Sequence, residues 1–134
     1  SDGSSSNRLL ILYQLNSNRI RIQFSVSGQS SIQIDVNTDI TLFSKIAFKY
    51  NATSIKLYLN GFEVDETSTG YTFSNDTLNK LSFDNISSGE FYGKTKELGY
   101  YNTALTDIEL ETLTSYRNWI SMVNELNLNI IYNG

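Results

Sequence analysis

The chain has 134 residues and a formal net charge of −4, with ten basic and fourteen acidic side chains and no histidine, cysteine or proline. That length suits one folded unit over residues 1–134, while the missing residue types remove disulfides, thiolate metal sites, cysteine nucleophiles, the usual zinc ligand and the Ser-His-Asp arrangement. The basic residues are scattered, which argues against nucleic acid as a partner, and no apolar run approaches the roughly 20 residues that span a bilayer, so no membrane insertion is expected.

The opening "SDGSSSN" has no signal-peptide pattern. From residue 9 to about residue 100 the dominant feature is alternation of apolar and polar residues, the mark of half-buried strands. Leu9, Ile11, Tyr13 and Leu15 share one face of the first. In "RIRIQFSV", Ile20, Ile22, Phe24 and Val26 face the core and leave Arg19, Arg21 and Gln23 on the wet side; "SIQIDV" continues with Ile32, Ile34 and Val36.

Residues 45–65 can be read to the level of register. A two-residue Asn60-Gly61 turn pairs Leu59 with Phe62, Tyr58 with Glu63, Leu57 with Val64 and Lys56 with Asp65. If residues 51–54 form the preceding turn, Tyr50 pairs with Ile55, Phe48 with Leu57 and Ile46 with Leu59, and both turns place the apolar residues on one face. Further strands are expected at 71–74, 80–83 and 90–101, the last with a bulge at Lys96 and Glu97 that returns Leu98 and Tyr100 to the inward face.

The period then changes. Thr106 with Glu109 forms a capping box, Leu105 and Leu110 are placed as its hydrophobic staple, and a helix over 107–114 follows. Ser115 can cap a second helix with Trp119, Val123 and Leu126 on its packing face, before "NLNIIY" returns to strand. The expected fold class is therefore all-β, an antiparallel β-sandwich with one or two short helices near the C-terminus.

Each chemical motif has a structural reading beside it. Glu63 and Asp65 fill two places of the carboxylate pattern with which sandwich glycosidases arrange nucleophile, orienter and acid/base, but Thr67 and Ser68 stand where the third acid belongs. Asp65 opposite Lys56, with Lys49 beyond, reads better as a charge ladder than as catalytic machinery. Asp35, Asn37 and Asp39 open like a calcium loop, yet Ile40 and Ile46 occupy the places of its glycine and its bidentate glutamate; no cofactor is expected, and calcium lacks a complete motif. The sequons at Asn51, Asn75 and Asn85 carry no weight in a chain so rich in Asn, Ser and Thr. Most aromatics fall on the inward phase, and Tyr58, Tyr92 and Tyr101 are the exceptions whose rings could stack on a sugar face.

Two blocks carry a resemblance. "KIAFKYNATSIKLYLNGFEV" (45–64) is similar to the central hairpin of the concanavalin A-like, laminin G-like jelly roll, and "FYGKTKELGYYNTALTDIELETL" (91–113) resembles its closing signature, with Thr95 in place of the usual aliphatic residue. The tail from Leu113 to Gly134 further resembles the C-terminal ends of bacteriophage virion proteins, including tail-fibre and capsid-fibre chains. The resemblance implies a laminin G-like jelly roll lacking its first strand or strands, and a non-catalytic, lectin-like domain on a virion or other extracellular surface. Its expected partner is a host-surface glycan, met by Tyr58, Tyr92, Tyr101, Arg19 and Arg21. The alternatives are a structural, oligomerisation or decoration module, partnered by its own copies or by other virion proteins, and a glycoside hydrolase.

Overall fold

Alternation in the sequence becomes two three-stranded antiparallel sheets in the computed structural model, which describes residues 1–26, 32–39, 43–83, 91, 93–116 and 124. Sheet A has the order β1 (Arg8–Gln14), β2 (Arg19–Ser25), β3 (Ile32–Asn37); sheet B has β4 (Ile46–Tyr50), β5 (Ile55–Leu59), β6 (Phe62–Thr67). Ile20, Ile22, Phe24 and Ile34 of sheet A meet Ile55 and Leu57 of sheet B in a buried core. Full burial of each such side chain stabilises the fold by roughly 1.5–3 kcal/mol. Phe24 sits at the centre of the ring contacts, with Tyr50 at 5.1 Å, Phe73 at 6.2 Å and Phe48 at 6.3 Å.

Leu9 and Tyr13 of β1 pack against that core as expected, but Ile11 is half exposed. It lies opposite buried Ile22 on the same face, on one of the two outer strands of the sheet. The β4–β5 register matches the sequence reading rung for rung, from Ile46 opposite Leu59 to Tyr50 opposite Ile55. Asn60 and Gly61 both have positive φ, +52° and +95°, the requirement of a type I′ turn.

β6 departs from the expected register after two rungs. Leu59 faces Phe62 and Tyr58 faces Glu63, but a bulge then inserts Val64, so that Leu57 faces Asp65 and Lys56 faces Glu66. The expected Leu57–Val64 and Lys56–Asp65 rungs are thus corrected by one residue. The extra residue also changes the phase, which places Glu63 and Glu66 on one face and turns Asp65 to the other. Phe62 and Val64, expected in the core, stand exposed on this outer strand.

Among the described residues, 71–74, 80–83 and 93–101 form no strand. Phe73 reaches the core from an irregular segment, stacking on Phe24 and meeting Tyr50 edge-on without a ladder, whereas Leu81, Phe83, Leu98 and Tyr100 remain exposed. Alternation there reports side-chain phase but finds no partner strand. The helix is as expected: α1 (Asp107–Thr114) is capped by Thr106, whose side chain accepts from the Glu109 amide while Glu109 accepts from the Thr106 amide at 2.8 Å. Leu110 and Thr114 form its buried side. The second helix and the final strand fall outside the described residues.

Candidate functional site

Tyr58 is not an exposed ring. β5 turns Lys56 and Tyr58 to the outer face of sheet B, as the alternation requires, but α1 lies across that face and leaves Tyr58 with no exposed surface. Its hydroxyl lies 2.6 Å from Asp107 Oδ1, to which it donates, and 3.1 Å from Glu63 Oε2. Lys49 Nζ also donates to Asp107 Oδ1, and Lys56 Nζ sits 3.0 Å from Glu63 and 3.4 Å from Asp107. Burial, then the two carboxylates, push the Tyr58 phenol far above its ordinary range. The lysine and phenol donors hold the Asp107 carboxyl well below the usual carboxylate range.

This cluster joins the first turn of α1 to three strands, and the other end of the helix is held too. The Gly61 amide donates to Thr114 Oγ1 at 3.0 Å and Lys45 Nζ to the Ser115 carbonyl at 2.7 Å. The expected ladder of Asp65 with Lys56 and Lys49 is replaced by Glu63 and Glu66 with Lys56, and Asp107 with both lysines. Alternation alone could not show this, because it gives the face of a strand and not what covers that face.

Arg19 and Arg21 are on the outer face of sheet A, as expected, and both are engaged. Arg21 grips Asp35 with two parallel bonds of 2.7 and 2.8 Å. Arg19 reaches the same carboxylate at 3.0 Å and donates twice to Gln14 Oε1. The Arg21 contact lowers the Asp35 carboxyl below its ordinary range. The first aspartate of the calcium-like stretch is therefore a rung of the sheet, paired across to β2. Among the described residues no group of three or more metal-ligating side chains converges.

Tyr101 is half exposed, as the sequence reading requires, and Tyr92 lies outside the described residues. The same stretch holds an open cleft of about 420 Å³ lined by Phe83, Phe91, Thr95, Lys96, Glu97 and Leu98. Phe83 and Phe91 are each about half exposed, with ring centroids 5.5 Å apart. Lys96 reaches over the Phe43 ring at 4.2 Å. Gly93 makes room for Phe91, because a Cβ there would run into its ring. Sequence reasoning assigned Phe83 and Phe91 to the core by phase. The available sign to the contrary was their charged and polar neighbourhood, Lys94 to Glu97.

Residues 1–111, most of the chain, match the family described as the concanavalin A-like lectin/glucanases superfamily. The chain belongs to that superfamily. No curated protein matches it. Among solved structures it is similar to residues 221–444 of an S-layer domain-containing protein from Clostridium thermocellum ATCC 27405, at 18% identity and a TM-score of 0.50. The match covers 84% of this chain and 64% of that one, so this chain spans less than two thirds of the structure it resembles. At that identity the likeness speaks for the fold alone. Together with the two sheets and the capped helix, the family match makes this a laminin G-like β-sandwich of the jelly-roll class.

Proposed function

We propose that the chain is a non-catalytic carbohydrate-recognition domain of a surface-exposed protein, of the kind that attaches a phage virion or fibre to host-surface glycans. The observation that carries this reading is the open cleft in which the Phe83 and Phe91 rings are half exposed beside Thr95, Lys96 and Glu97. Rings of this kind stack on the apolar face of a pyranose while hydroxyl, ammonium and carboxylate groups bond its hydroxyls. Membership of a superfamily that includes lectins supports the reading.

Of the residues expected from sequence, Tyr101 is half exposed shortly after Leu98 of the cleft wall, and Tyr58 is excluded by its burial. Arg19 and Arg21 already spend their bonds on Asp35 and Gln14. The reading is non-catalytic because Glu63, Glu66 and Asp107 are tied to Lys49, Lys56 and Tyr58. A broad glycan array on the purified chain tests it. Binding is expected to fall by up to about tenfold in Phe83→Ala or Phe91→Ala, the scale of one lost aromatic contact. Silence across the array, or sugar release that Glu63→Gln abolishes, would overturn the reading.

A further inference from the structure

Asparagine followed by glycine is the dipeptide in which the main chain most readily attacks a side-chain amide, because glycine has no Cβ to hinder its nitrogen. It occurs twice in the sequence, at Asn60-Gly61 and at Asn133-Gly134, and the second falls outside the described residues. At the first, the attacking nitrogen is occupied. The Gly61 amide donates to Thr114 Oγ1 at 3.0 Å, and that buried hydroxyl donates in turn to the Leu110 carbonyl at 2.8 Å. The Asn60 side chain is held as well: its Oδ1 accepts from the Lys45 amide at 2.9 Å, while the Asn60 amide donates to the Lys45 carbonyl at 3.0 Å. The end of α1 sits directly on the glycine, since a Cβ there would lie 3.2 Å from Ser115 Cβ and 3.3 Å from Ser115 Cα.

We propose that Asn60 is a self-modification site, and that α1 governs it by holding the nitrogen that would react. In the reaction the Gly61 amide gives its proton to solvent base and its nitrogen bonds to Asn60 Cγ. The Cγ–Nδ2 bond breaks, Nδ2 takes up a proton and leaves as ammonia, and a succinimide remains. Water then adds to either of its carbonyls and opens the ring to aspartate or isoaspartate. One water enters, one ammonia leaves, and nothing is oxidised or reduced. Ring closure brings Asn60 Cβ and the Gly61 nitrogen nearly eclipsed about the Cα–C bond, whereas a type I′ turn holds the Asn60 ψ at about +30°, with the two well apart. The nitrogen stays unreactive until the hairpin and the helix end separate. Isoaspartate then adds a methylene to the main chain of a two-residue turn, so the Leu59–Phe62 and Tyr58–Glu63 rungs do not re-form as they were. An opening that is otherwise reversible becomes permanent. The site shares no residue with the cleft of Phe83 and Phe91, so glycan binding does not enter its test.

Incubation at mildly alkaline pH, followed by peptide mapping for aspartate and isoaspartate at position 60, tests the proposal. Conversion is expected to be fast in urea and slower in the folded chain. The slowing should equal the factor by which the fold protects the Gly61 amide from hydrogen exchange, since both reactions need that N–H released. Thr114→Val keeps the side-chain shape and removes the acceptor, and should speed conversion in the folded chain about fivefold, the effect of one net hydrogen bond. Thr114→Ser keeps the hydroxyl and should convert at the wild-type rate. Ile22→Val loosens the core of sheet A by a comparable amount and should leave the rate unchanged, because the release is local to the hairpin and α1. Equal conversion in urea and in the folded chain, no acceleration in Thr114→Val, or the same acceleration in Ile22→Val would each overturn the proposal. The exchange comparison needs only the wild-type chain and decides the matter if Thr114→Val does not fold: unequal factors would overturn it too.

Discussion

Tyr58→Phe isolates the lock between sheet B and its helix. The substitution keeps the buried ring, so no cavity opens, and removes only the hydroxyl that donates to Asp107 at 2.6 Å. Hydrogen bonds to charged groups contribute about 1.5–3 kcal/mol. Asp107 keeps Lys49 and Lys56 after the change, and Glu63 keeps Lys56, so no carboxylate is stranded. The cost should accordingly fall at the low end, about 1.5 kcal/mol, which for a domain of this size is a drop of about 5 °C in Tm. Urea unfolding at neutral pH should show a lower midpoint with an unchanged slope, because the surface exposed on unfolding is the same. A double-mutant cycle with Asp107→Asn assigns the effect, with an expected coupling of about 1 kcal/mol between the two positions. A loss below about 0.5 kcal/mol, or full additivity with Asp107→Asn, would refute the claim that this bond fastens the helix.

Two more outcomes follow from the cap of the same helix and from the depressed carboxyls of Asp107 and Asp35. Thr106→Ala removes the side chain that caps α1 and half of its capping box, and should cost about 1 kcal/mol, read as a lower urea midpoint with reduced helical circular dichroism. Acid should destabilise the chain through Asp107 and Asp35, whose carboxyls are both held below the ordinary value of 3.8. For a depressed carboxyl the stabilisation is complete above the unfolded pKa and is lost as pH falls through the folded one. The urea midpoint should therefore hold above about pH 5 and decline below about pH 4, and Asp107→Asn should flatten that decline.

Much of the frame was legible because hairpin chemistry and alternation are local. Asn60-Gly61 sets its own turn, and the β4–β5 rungs follow from it without reference to the rest of the chain. The capping box from Thr106 to Glu109 is equally local, and its helix has the expected bounds. The Val64 bulge was not legible, since a regular strand and a bulged one share the same composition and differ only in where the rungs fall. Tyr58 shows the same limit at the level of the site. Its outward phase was right and its exposure was not, because the helix that covers it comes from residues about fifty positions later. Phe83 and Phe91 fail in the other direction, with inward phase in the sequence and no strand to make that phase count.

Beneath α1, Tyr58 also acts as a silent chromophore. The chain has nine tyrosines, and in the unfolded state all of them ionise near pH 10. In the folded chain Tyr58 resists, held neutral by burial and by two carboxylates that would repel a phenolate, and Tyr50 lags for reasons of burial. The unfolded state then binds fewer protons than the folded one above pH 10, so rising alkalinity pulls the equilibrium toward unfolding. An alkaline absorbance titration of the native protein should reach a plateau short of its full amplitude. The part of the missing step that belongs to Tyr58 should appear only when the helix lifts, which makes that part of the phenolate signal an optical record of the event.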